Sequence, residues 1–99
     1  MKIIKELVDK IDEELAGAQT YAEKSVEEKA AQNSEWASSF RNMAEAELDH
    51  AMKMHEYTVN KINKLKEVYQ PTQEMLDKWE KSHKEYVDKV ARIKQMLKM

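Results

Sequence analysis

The chain has 99 residues, with one Gly, one Pro, no Cys, and a formal charge of −2 from 17 basic and 19 acidic side chains. That is the size of one small domain, and the missing thiols exclude disulfides, thiolate nucleophiles and thiolate metal sites. The near-balanced charge excludes the one-sided basic patch of a nucleic-acid binder, and no apolar run approaches the roughly 18 residues of a membrane span.

The scarcity of Gly and Pro favours long helices and leaves a sheet almost no turn residues, so the expected fold class is all-α. A first helix is expected over about residues 2–29. Steps of three and four residues align Ile4, Leu7, Ile11, Glu14, Ala18, Tyr21 and Ser25, and Val8, Leu15 and Ala22 widen the stripe. This is the apolar face of a helix that packs on others. Glu14 is the anomaly, a carboxylate on a line otherwise apolar, small or aromatic. Gly17 lies near this face, where a missing side chain allows close helix approach at a cost of up to ~1 kcal/mol in helix propensity.

A break is expected near Ala31-Gln32-Asn33-Ser34, with Asn33 or Ser34 as the next N-cap. The second helix is expected over about residues 35–69. Its inward stripe reads Trp36, Phe40, Met43, Glu47, His50, Met54, Tyr57, Lys61 and Leu65, with Ala44, Ala51, Thr58 and Ile62 alongside. Glu45, Asp49, Lys53 and Glu56 fall on the solvent side. Gln70-Pro71 ends the helix, because the residue before Pro disfavours the helical region, and Pro71 suits the first turn of the next one. A third helix follows over about residues 72–98, with Leu76, Trp79, His83, Tyr86, Val90, Ile93 and Leu97 in heptad register. A stripe that long suits a partner helix from another chain as well as its own hairpin. The chain is then a single domain over 1–99: a hairpin over 1–69, and a C-terminal helix over 70–99 for packing or oligomerisation.

Glu47 and His50 are three residues apart and so share one helix face. Counting from the turn near Gln32, Glu14 lies 18 residues before it, and Glu47 and His50 lie 15 and 18 after it. In an antiparallel hairpin all three stand at nearly the same height. Burying two carboxylates and an imidazole costs several kcal/mol per charge without compensation. A divalent cation supplies that compensation, and oxygen and imidazole ligands suit iron, manganese or zinc. A buried polar network that fixes register or oligomer state is the competing reading. Glu80 and His83 repeat the Glu-x-x-His spacing, but the Pro71 turn sets His83 near the height of Tyr57 and Thr58, away from Glu14. His83 reads as a packed or interface histidine, with a second metal or a proton relay as the alternative, and His55 as a surface or boundary residue. The Met residues read as core filler, and Trp36, Trp79 and Tyr86 as packing.

Glu14, Tyr21 seven residues on, Glu47-Leu48-Asp49-His50 beginning 33 residues after Glu14, and the Ala-Glu-x-Glu-x-x-His-Ala run from Ala44 to Ala51 carry a resemblance. Residues 4–65 resemble half of a ferritin-like domain of the rubrerythrin and encapsulated-ferritin type. The resemblance implies that Glu14, Glu47 and His50 are metal ligands, with Tyr21 beside them as a supporting residue of the catalytic centre. It implies a four-helix bundle completed by dimerisation, with a di-iron centre formed between two chains. It further implies oxidation of ferrous iron by oxygen or peroxide. The rubredoxin-like centre of some rubrerythrins is excluded by the absence of Cys. The expected cofactor is iron, with manganese or zinc as alternatives. The expected partner is a second copy in a homodimer or higher homo-oligomer, with an encapsulating shell or another protein beyond that, and neither nucleic acid nor membrane. Lys2 and Lys5 interrupt the N-terminus too early for a signal segment, so a cytoplasmic location, or the inside of a protein compartment, is expected. The alternative function is a non-enzymatic helical interaction or assembly protein whose metal site is structural or vestigial.

Overall fold

The computed structural model describes residues 2–99 and holds three helices and no strand among them: α1 (Lys2–Ala30), α2 (Ser34–Val68) and α3 (Gln73–Leu97). None of them is long and apolar enough to cross a membrane.

The break between α1 and α2 is a Schellman closure. Gln32 takes a left-handed φ of 63°. Its N–H donates to the Lys29 carbonyl at 3.1 Å, and the Asn33 N–H donates to the Glu28 carbonyl at 2.8 Å. Asn33 is the N-cap of α2, yet its side chain does not cap that helix. Its amide donates instead to the Glu28 carboxylate at 2.8 Å, tying the new helix to the old one. At the second break the Thr72 hydroxyl caps α3 by accepting from the Met75 N–H at 3.2 Å. Pro71 therefore sits ahead of the N-cap and not in the first turn, and α3 begins one residue after the expected start near residue 72.

Contacts between α1 and α2 run in opposite order along the two helices. The Ser25 hydroxyl donates to the Ala37 carbonyl at 2.9 Å, Tyr21 stacks on Phe40, Gly17 faces Glu47 and Glu14 faces His50. The core is built from Ile11, Leu15, Ala18 and Ala22 of α1, Ala44, Leu48 and Ala51 of α2, and Ile93 of α3. α3 packs chiefly on α1, with Tyr86, Val90, Met96 and Leu97 against the core. Lys29 holds its end by donating to the Met99 carbonyl.

The α1 stripe is buried or half-buried along the expected line. The α2 stripe is so in part, with Ala44, Ala51 and Thr58 buried and Phe40, Glu47, Met54, Lys61, Ile62 and Leu65 half-buried. Its buried line is Ala37, Ala44, Leu48, Ala51 and Thr58, whereas Trp36, Met43 and Tyr57, expected inside, are 61%, 42% and 52% exposed. The reason is steric. Interhelical distance depends on the side chains at the contact, and alanines let α2 approach α1 closely while the bulky residues stand to one side. Thr58 is fully buried, and its hydroxyl is satisfied by donating to the Met54 carbonyl at 2.7 Å.

The resulting rod measures 55 × 18 × 17 Å, with a radius of gyration of 16.1 Å. A compact domain of a hundred residues has about 13 Å. The chain exposes 7028 Å², against roughly 5,900 Å² for a compact monomer of its mass.

Candidate metal centre

Glu14 reaches the α1–α2 seam one turn before Ala18, and Glu47 and His50 reach it from α2. Each offers one ligand atom, and those atoms all lie within 4.8 Å of one another. The Glu14 carboxylate is 3.7 Å from His50 Nδ1 through one oxygen and 3.6 Å from Lys10 Nζ through the other. Its side chain is 15% exposed, against 60% for His50. The centre is therefore enclosed on the Glu14 side and open on the His50 side. The expectation that both α2 residues lie inside the bundle is corrected accordingly: Glu47 is half-buried and His50 is exposed. His50 follows the Trp36–Met43 line by a further seven residues, so it shares their uncovered face.

The two carboxylates perturb each other. A shared side-chain hydrogen bond with Glu47 holds Glu14 below the ordinary carboxylate range, with Lys10 and His50 adding to the effect against a smaller cost of burial. The same hydrogen bond pushes Glu47 up, and burial and the negative charge of Glu14 push it further. Like charges at short range oppose each other's ionisation, which is part of why Glu47 is pushed up. A divalent cation compensates that repulsion through charge. Two carboxylates and an imidazole without sulfur suit iron, manganese or zinc, so the donor set fits such an ion.

Tyr21, the fourth expected residue, lies on the same stripe as Glu14 and stacks on Phe40 at 6.3 Å between ring centroids. What the geometry gives it is a packing role at the edge of the site. Two contributors escaped the sequence reading. Lys10 is one; its spacing of four residues from Glu14 on one helix was the available signal. The other is Gly17, read as a point of close helix approach, where the group that approaches is the Glu47 carboxylate.

His55 and His83, read separately from sequence, meet across α2 and α3. His55 Nε2 lies 3.0 Å from His83 Nδ1. The His55 ring stacks on Tyr86 at 3.9 Å and 1° and on Trp79 at 5.7 Å.

Comparison of the chain with protein-family models, with curated proteins and with solved structures gives no match.

Proposed function

We propose that this chain is half of a ferritin-like metal protein. In this reading α1 and α2 form an antiparallel hairpin, a second copy completes a four-helix bundle, and a dinuclear centre between the two chains oxidises ferrous iron or reduces peroxide. The observation that carries it is the convergence of Glu14, Glu47 and His50, with ligand atoms within 4.8 Å of one another. Two copies supply four carboxylates and two imidazoles, the set used by dinuclear carboxylate centres in helical bundles. The pattern of Glu14, Tyr21, Glu47 and His50 that resembles rubrerythrins and encapsulated ferritins supports the same reading.

Two further observations support a second copy. The seven-residue line Trp36, Met43, His50 and Tyr57 is exposed in the single chain, and it runs through the open side of the site. The chain also exposes more surface than a compact monomer of its mass. A second hairpin on that face covers both the apolar line and His50.

Iron held by Glu14, Glu47 and His50 would supply one-electron chemistry between its ferrous and ferric states, with oxygen or peroxide as the electron acceptor. The chain's own residues do the rest. Glu14 and Glu47 would provide the negative charge that holds the cation. His50 Nδ1 faces the same point. Gly17 leaves room for the Glu47 carboxylate, and Lys10 draws the outer Glu14 oxygen toward solvent.

A second reading, a structural metal in an interaction or assembly protein, is favoured by the exposure of His50. Iron oxidation separates the two. On the first reading, protein purified without chelator carries iron, manganese or zinc, added Fe²⁺ in air gives ferric absorbance faster than buffer does, and Glu47→Ala abolishes the acceleration. Solution mass measured with and without metal then tests the shared site. Protein that carries no metal and oxidises Fe²⁺ no faster than buffer overturns the reading.

A further inference from the structure

We propose that His55 and His83 form a second metal site, an imidazole-only clamp that takes a borderline divalent cation such as Zn²⁺, Ni²⁺ or Cu²⁺ and ties α3 to α2. The pair stands apart from the Glu14 centre and does not depend on how that centre is read.

Geometry comes first. His55 Nε2 and His83 Nδ1 are 3.0 Å apart. Two imidazole nitrogens bound to one ion at about 2.0–2.1 Å are roughly 2.9–3.4 Å apart for right-angle to tetrahedral arrangements. The two atoms thus already have the separation of neighbouring ligands. A rotation of the exposed His83 ring turns its Nδ1 lone pair from His55 toward a common point.

The His55 ring is held in place. Tyr86 lies parallel to it at 3.9 Å and 1°, and Trp79 lies 5.7 Å away at 21°. Such stacking fixes the plane of a ligand before the ion arrives, which lowers the ordering cost of binding. His83 is exposed, so the site opens to solvent and water can fill the remaining positions.

The chemistry sets the choice of metal. Among the described residues, the one group of three ligating side chains is Glu14, Glu47 and His50, so no third such ligand converges on the His pair. Imidazole without carboxylate suits zinc, copper and nickel over manganese or magnesium. Burial, followed by the neighbouring His83, holds His55 below its ordinary value, which leaves the neutral ring available to a metal near neutral pH. In the bound form His55 keeps its proton on Nδ1 and His83 on Nε2. Two neutral rings carry two ring protons, so the ring that donates between them must move its proton from the facing nitrogen to its other nitrogen, and no proton is released.

The test uses the full chain with the first centre silenced by Glu14→Gln, Glu47→Gln and His50→Gln. Zn²⁺ or Ni²⁺ is titrated at pH 7.5 while the histidine ring resonances and the melting temperature are followed. The expected result is one saturable equivalent per chain, shifts at His55 and His83, a raised melting temperature and unchanged solution mass. His83→Gln, at an exposed position, is expected to weaken binding at least tenfold with the helical circular dichroism intact. His55→Gln is expected to do the same. Absence of saturable binding in the silenced protein overturns the proposal. So does binding that survives both histidine substitutions, or binding that appears only with a doubling of mass.

Discussion

The Glu47 carboxylate lies over Gly17, so that a Cβ at residue 17 meets Glu47 Oε2 at 3.1 Å. Gly17 costs α1 about 1 kcal/mol in helix propensity relative to Ala, and what occupies the space it leaves is a proposed ligand. The contact is tighter than ordinary van der Waals packing, but the atom it displaces is the end of a flexible side chain. We therefore expect Gly17→Ala to keep or raise the melting temperature of metal-free protein, by up to the equivalent of ~1 kcal/mol. It should weaken Mn²⁺ or Zn²⁺ binding at the Glu14 centre at least tenfold. Paired thermal melts and calorimetric titrations check this. A variant that loses stability and keeps full affinity would show that Gly17 serves helix approach alone.

The carboxylate pair makes metal-free stability depend on pH. Glu47 titrates above its ordinary value in the folded chain, so its contribution is present at low pH and lost as pH rises through the folded value. Glu14 titrates below its ordinary value, so its contribution is present above the unfolded value and lost as pH falls through the folded one. Lys10 and His50 face the pair and temper the repulsion. Glu47→Gln replaces the raised group with a neutral one that still donates a hydrogen bond. In chelator at pH 7 it should melt above the wild type. The difference should shrink toward zero as pH falls through the Glu47 titration, while metal affinity is lost throughout. Melts from pH 7 to pH 4 decide it, and a difference that does not change with pH counts against the raised titration of Glu47.

The uncovered line on α2 separates assembly from folding. Trp36 and Tyr57 are 61% and 52% exposed, and exposed substitutions usually change monomer stability by no more than about 0.5 kcal/mol. Trp36→Lys with Tyr57→Lys puts charge at both ends of the proposed interface. Sedimentation should show a monomer where the wild type dimerises with metal, at unchanged helical circular dichroism. Metal affinity should fall with the dimer, because each chain keeps only half of the ligand set. Retained dimerisation would move the interface to another face.

The sequence carries the α1 face well because its apolar residues are themselves the contact: Ile11, Leu15, Ala18 and Ala22. The meeting of Glu14, Glu47 and His50 was legible for a related reason. The turn at Gln32 sets the heights of both helices, and a constant helical rise does the rest. On α2 the flanking Ala44, Ala51 and Thr58 are buried as expected, but Trp36, Met43 and Tyr57 are not, because hydrophobicity favours large side chains whereas close approach centres the contact on the small ones. Leu48 was overlooked inside the motif itself. The turn at Pro71 set His83 near the height of Tyr57 and Thr58, within a turn of His55, and the pairing was missed because His55 lies off the apolar stripe and read as a surface or boundary residue. Gly17 gave the right position and the wrong neighbour.

The turn between α1 and α2 gives a prediction that is independent of metal. Gln32 holds a left-handed φ of 63°, a conformation that costs a residue with a Cβ about 1–2 kcal/mol. The closure around it satisfies two carbonyls of α1, those of Lys29 and Glu28, so the backbone geometry is fixed by hydrogen bonds and will persist when the side chain changes. Gly adopts this φ without the Cβ penalty but loses more conformational freedom on folding, which cancels part of the gain. The net effect of Gln32→Gly should be stabilisation by about 0.5–1 kcal/mol. For a domain of this size that is a rise of roughly 2–8 °C in melting temperature. Gln32→Ala keeps the Cβ and should give no rise. Melts must be compared at one protein concentration, because association contributes to apparent stability. The two variants together isolate the backbone effect: if Ala stabilises as much as Gly, the left-handed strain at Gln32 is not what limits the turn.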